Sequence, residues 1–366
     1  MENEKSGYYK VGIDVFATYD KDTKTIEFYS KNGELYQKWR YCLHAGMING
    51  VCHIRVAEGT VFLPEDSSSI FNELTFLESI DLHGFNTSRV KNMSYMFAYG
   101  LRLAELDVST MDTSQTKDMS FMFCGCDKLE SLNLGNLDTS NVTNMTGMFF
   151  CAKRLKTLDL SGLDTSKVED MMGIFQGCKG LRKLNIRGLN TSCATTMKQM
   201  FKDCSSLRTL DLSEFDTSKV KNMTGMFAGC KNLRKLNIRG LNTSCVKSMQ
   251  WMFADCSELK ALNLSAFDTS DTTNMEGMFM GCRNLQSLDL KTFDTAKVTT
   301  MQEMFSGCSS LEQLNISNFK LSNIVYMNKM FKDCKKIQNI TMPPIARKQT
   351  RTEEMFCGCP STLQII

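Results

Sequence analysis

Four side chains able to hold a metal stand near the N-terminus, in Cys42-x-His44 and Cys52-His53. Zinc prefers thiolates and imidazoles, but this spacing matches none of the common finger patterns, and core thiols with surface imidazoles are the plainer reading. Cys124, Cys126 and Cys151 form a second thiol group with no histidine nearby and no C-x-x-C pair, so no metal is assigned there either. A longer thiol series runs through Cys126, Cys178, Cys204, Cys230, Cys256, Cys282, Cys308, Cys334 and Cys359, always three residues after a phenylalanine. The same position also accepts Gly100 and Ala152, so it asks for a small buried side chain rather than a disulfide partner.

Two further series sit where a strand would point them outward. One is polar: Asp81, Asp107, Asn133, Asp159, Asn185, Asp211, Asn237, Asn263, Asp289 and Asn315. It can bind a cation or ligand, yet mixed Asn and Asp also form a hydrogen-bonded ladder that relieves like-charge repulsion, and the ladder is the favoured reading. The other is basic: Lys156, Arg182, Lys183, Arg187, Arg208, Arg234, Lys235, Arg239 and Lys260 fall on or beside consecutive expected strands. The matching column in outer repeats holds Glu78, Ala104, Glu130, Gln286 and Glu312. A basic patch suits a protein or an anionic glycan; nucleic acid is not expected, because no aromatic platforms accompany the cations. With three histidines in the chain and no G-x-S-x-G, P-loop or H-E-x-x-H, the reading is no enzyme and no cofactor.

What must position these series is a repeat. Phenylalanine recurs at positions 71, 97, 123, 149, 175, 201, 227, 253, 279, 305 and 331, every 26 residues, and Phe356 closes the series one residue early. Twelve coils therefore occupy residues 66–366. Each reads N/D-M-x-x-M-F-x-x-C-x-x-L-x-x-L-D/N-L-x-x-F/L-D/N-T-S-x-V, and LRKLNIRGLNTSC occurs verbatim at 181–193 and 233–245. The period lies within the 20–29 residues of leucine-rich repeats, and each unit carries their L-x-x-L-x-L core. Leu288 and Leu290 alternate inward from a short strand, and stacking such strands every ~4.8 Å gives a parallel sheet. One coil cannot close its own core, whereas a stack can. Asn92, Asp118, Asn144, Asp170, Asn222 and Asn274 precede the M-x-x-M-F segment as capping residues, so that segment is expected to be a short helical or 3₁₀ return. The D-T-S segment, as in Asp216-Thr217-Ser218, reads as the corner off the strand.

The combination of this period with M-x-x-M-F-x-x-C-x-x-L-x-x-L-x-L-x-x-F-x-T-S-x-V resembles the BspA-like leucine-rich repeat family of bacterial surface proteins. The likeness covers about 300 residues in twelve copies. It implies a repeat solenoid of parallel strands with short return segments, a role in adhesion, matrix binding or host interaction, and a cell-surface or secreted location.

Residues 1–65 escape the period. Ile13–Tyr19, a KDTK turn and Thr25–Tyr29 read as a β-hairpin, and 51–56 and 61–63 as further strands, together an N-terminal cap over the first coil. At the other end the segment 342–351 replaces the D-T-S corner. The N-terminus MENEKSGYYK carries no secretory signal, which suits a cytoplasmic protein, and no 18-residue apolar run exists to span a bilayer. A net charge of +3 over 366 residues gives no strong overall field, so any basic surface is local. The favoured function is binding or adhesion through the sheet face; the alternatives are an intracellular scaffold or effector and a passive surface stalk.

Overall fold

The computed structural model describes residues 7–135, 137–345 and 350–366; the first six residues, Asn136, and residues 346–349 of the segment that replaces the last corner lie outside the described residues. The fold is a β-solenoid of about thirteen turns with almost no helix. Its contacts fall into two units. Unit 1 is Met1–Val168 with Gly177–Leu189, and unit 2 is Glu169–Gln176 with Asn190–Ile366.

Unit 1 starts with β1 (Tyr9–Ile13), β2 (Val15–Asp20), β3 (Thr25–Leu35) and β4 (His53–Phe62). The β2–β3 pair is the antiparallel hairpin, closing from Asp20 opposite Thr25. β3 then runs parallel to β4, and β4 parallel to β5 (Ser79–Ile80) and β6 (Phe85–Asn86), so the first repeat is hydrogen-bonded to the preceding strands. Their cores are continuous as well. Phe28 packs edge-on to Trp39 and Phe85, Phe85 to Phe71, and the buried Trp39 donates Nε1–H to the Ile70 carbonyl at 2.9 Å.

Each repeat then presents two walls. On the strand wall, three-residue strands pair parallel and in register, but only in groups. In unit 1, β7 (Glu105–Asp107) pairs with β8 (Ser131–Asn133), and β9 (Thr157–Asp159) with β10 (Lys183–Asn185). In unit 2, β11 (Thr209–Asp211) pairs with β12 (Lys235–Asn237), and β13 (Gln313–Asn315) with β14 (Asn339–Thr341) and β15 (Gln364–Ile365). Residues 261–264 and 287–290 hold the corresponding positions without strand pairing, and a cleft of about 460 Å³ opens between them.

On the opposite wall the return segments are chains of turns rather than helical turns. Hydrogen bonding explains why. Alternate amides cross to the next coil: Met93 to Asp118, Tyr95 to Ser120, Phe97 to Met122 and Tyr99 to Cys124, at 2.7–3.0 Å. The amides between them bond three residues back, as Met96 does to Met93 and Ala98 to Tyr95. A helix would spend those same donors inside the coil and leave the coils unlinked. The two residues flanking each Phe by two positions pay for this with left-handed backbone, as at Tyr95, Tyr99, Gln199 and Asp203. Gly277 shows why glycine suits the position: its φ is +57°, and a Cβ there would collide with the Trp251 ring. The capping residues keep their expected contact, Asn222 Oδ1 accepting the Thr224 amide at 2.9 Å, while also bridging to neighbouring coils.

The core follows the repeat. Phenylalanines stack face to face, from Phe71 to Phe149 in unit 1 at 5.6–5.9 Å and from Phe175 to Phe356 in unit 2 at 5.4–5.8 Å. Each such pair adds ~0.5–1.5 kcal/mol beyond the area it buries.

Candidate interaction surface

The column thiols are consumed by the fold. Cys126 donates Sγ–H to the Phe97 carbonyl of the preceding coil at 3.2 Å, Cys230 to Phe201 at 3.1 Å and Cys308 to Phe279 at 3.2 Å. Burial pushes the Cys126, Cys178, Cys230, Cys282 and Cys334 thiols up to about 12, so they stay protonated. Cys124, also buried, is pushed up to about 11. The other thiol and imidazole candidates diverge: Cys42 is exposed, Cys52 Sγ faces the Gly50 carbonyl, His44 meets the Tyr9 ring edge-on, and His53 Nδ1 lies 2.8 Å from Ser79 Oγ. Among the described residues, no three His, Cys, Asp or Glu side chains converge as metal ligands.

The outward Asp/Asn series forms side-chain rungs at two of its steps. Asn185 Nδ2 donates to Asp159 Oδ1 at 3.0 Å in unit 1, and Asn237 Nδ2 to Asp211 Oδ1 at 2.9 Å in unit 2. The same side chains close turns on their own backbone, as Asp159 does with the Ser161 amide. Hydrogen bonds hold three of these carboxyls below the usual range: from the Ser109 side chain and then its amide at Asp107, from the Ser161 side chain and then its amide at Asp159, and from the Lys291 amide at Asp289. The corner threonines do something the sequence reading did not assign them. Thr113, Thr139, Thr217 and Thr243 are buried and donate Oγ1–H to the next coil's carbonyl at 2.7–2.9 Å. Their recurrence at every twenty-sixth position from Thr87 to Thr295 was the available signal.

The nine basic residues divide between the units. Lys156, Arg182, Lys183 and Arg187 lie on unit 1, all exposed. Lys156 is paired with Glu130 at 2.5 Å, which draws the Glu130 carboxyl down. On unit 2, Arg208, Arg234, Lys235, Arg239 and Lys260 are exposed on or beside three successive repeats, with Lys235 opposite Thr209 across the β11–β12 pair. Arg234 Nη2 meets Glu258 at 3.2 Å. Arg208, Lys235, Arg239 and Lys260 take part in no ion pair among the described residues.

A leucine-rich repeat protein of Eubacterium ventriosum aligns over 98% of this chain and 97% of its own at 15% identity, with a TM-score of 0.41. A leucine-rich repeat protein of Bacteroides ovatus aligns over 90% and 98% at 14% identity, with a TM-score of 0.38. One from Leptospira interrogans aligns over 93% and 89% at 13% identity, with a TM-score of 0.29. No curated protein matches. The family model described as "Mycoplasma protein of unknown function, DUF285" matches residues 65–158, 151–262 and 247–366, which together take in the whole repeat array, and the chain belongs to that family.

Proposed function

We propose that this protein is a non-enzymatic interaction scaffold of the BspA-like type, and that the strand wall of unit 2 receives an acidic segment of another protein. The observation that carries this is the group Arg208, Lys235, Arg239 and Lys260: exposed on successive repeats and, among the described residues, in no ion pair. Guanidinium and ammonium groups left in this state favour carboxylates, which a guanidinium fork can take in bidentate fashion. Asp211 and Glu258 stand within the same group. They would repel a uniform polyanion such as a sulfated glycan, while a protein segment of mixed charge can place its own cations against them. Surface display in adhesion or host interaction follows from the BspA-like resemblance, and protease shaving of intact cells tests it.

The contact surface is tested with a labelled Glu/Ala-rich peptide titrated against the full chain. The variant R208E/K235E/K260E is expected to weaken binding by more than about tenfold and to flatten its salt dependence. Unchanged affinity would sink the assignment. Tighter binding of a sulfated oligosaccharide than of the peptide would replace the protein partner with a glycan.

A further inference from the structure

The strand wall of unit 1 carries the opposite charge to that of unit 2, at the same places in the repeat. On and beside β5, β7 and β8 the charged residues are Glu78, Asp81, Glu105, Asp107 and Glu130, five acids and no base. At the matching positions of three successive repeats in unit 2, residues 208–211, 234–237 and 260–263, they are Arg208, Asp211, Arg234, Lys235 and Lys260, four bases and one acid. All of these are exposed except Glu130, which is half-buried.

The correspondence holds position by position. Glu78 and Glu130 occupy the column of the 26-residue period that holds Arg208, Arg234 and Lys260, and Glu105 the column that holds Lys235. Paired strands are in register in both units, Glu105 opposite Ser131 and Thr209 opposite Lys235, so each step along either wall is one strand spacing, ~4.8 Å. Two faces with the same period can bring several opposite charges together in a single register, whereas an irregular acidic surface matches one or two. Extended Glu and Arg side chains together span the ~10 Å between stacked sheets. Neither wall neutralises itself. Glu105 and Asp107 take part in no ion pair among the described residues, and the groups that meet the other acids stand off these strands: Arg102 at 3.5 Å from Glu78, His83 at 2.7 Å from Asp81 and Lys156 at 2.5 Å from Glu130. Such exposed pairs are individually weak and can be exchanged.

We infer that the basic strand wall of unit 2 receives the acidic strand wall of unit 1 from a second copy of this chain. The inference rests on the reading of the unit 2 wall as a contact surface and names its partner. Two basic walls repel one another, as do two acidic ones, so charge favours the pairing of opposite walls. The acidic wall also meets the requirement set by Asp211 and Glu258, because Arg102 beside Glu78 supplies a cation that a uniform polyanion lacks.

The test is sedimentation velocity of the full chain at about 100 μM, in about 20 mM and then about 500 mM sodium chloride. At low salt the sedimentation coefficient is expected to rise with protein concentration, and at high salt to fall to the monomer value. R208E/K235E/K260E and E105K/D107K should each be monomeric at low salt. A one-to-one mixture of the two should associate again, because each supplies the wall the other has lost. The Glu/Ala-rich peptide should dissociate the assembly of the unaltered chain by competing for unit 2. A chain that is monomeric at low salt yet binds the peptide overturns this inference and leaves the proposed contact surface standing; loss of both overturns the two together. Association that survives either charge reversal, or a mixture of the variants that stays monomeric, also overturns the pairing with a second copy.

Discussion

The two walls of the repeat are built from the same coils, yet they are held together differently. On the turn wall every repeat step within each unit keeps its amide ladder, its stacked Phe and, in most coils, its thiol bond. On the strand wall the pairing stops and restarts, and positions 261–264 and 287–290 stand unpaired while the turn wall behind them stays bonded. The difference teaches where the sequence is constrained. Met, Phe and Cys recur almost without change on the bonded wall; charge varies coil by coil on the interrupted one. Stability resides in the first and freedom to evolve contacts in the second.

Truncating the stack should do the most damage. Phe227→Ala is expected to cost ~3–5 kcal/mol, as buried phenylalanines do; Leu236→Ala, at a half-buried strand position, should cost clearly less. Urea midpoints measured at unchanged slope decide this, and equal losses would break the distinction between the walls.

Alkaline pH should come next. Thiols held at about 12 in the fold and near 9.0 when unfolded bind more protons in the native state between those values. Their contribution is therefore complete below pH 9 and is lost as pH rises toward 12, at ~1.4 kcal/mol per pH unit for each such thiol. The urea midpoint should be flat from pH 6 to 8 and fall steeply above 9. Over the same range iodoacetamide should label Cys42, Cys245 and Cys357, which are exposed, well before the buried column.

Removing one corner bond is a smaller change. Thr217→Val deletes the 2.7 Å bond to the Asn242 carbonyl and should cost ~1 kcal/mol. The smallest effect on stability belongs to the exposed cations: Lys235→Glu should move it by under ~0.5 kcal/mol, although the triple charge reversal that includes it is expected to weaken acidic-peptide binding by more than about tenfold.

The period, the inward leucines and the Phe column were legible because burial imposes them on every coil. The turn geometry was not. M-x-x-M-F preceded by Asn is also a helix start, and only the neighbouring coil, which accepts the Tyr95 and Phe97 amides, decides between the two. The thiol column read correctly as small and buried, but its carbonyl partners lie 29 residues away in the previous coil and leave no local trace. Of the nine basic residues, sequence located all on the exposed wall; that Lys156 and Arg234 are already paired depends on Glu130 and Glu258 in adjacent coils.

Hydrogen exchange of the full chain tests the account most directly. The Gly277 and Phe279 amides bond across the turn wall at 2.8 and 2.9 Å, whereas the amides of Leu264 and Leu290 have no backbone partner among the described residues. Gly277 and Phe279 should exchange only through global unfolding, with Leu264 and Leu290 at least about a hundredfold faster. Equal protection at the two walls, or the reverse order, would contradict the claim that the turn wall holds the solenoid together.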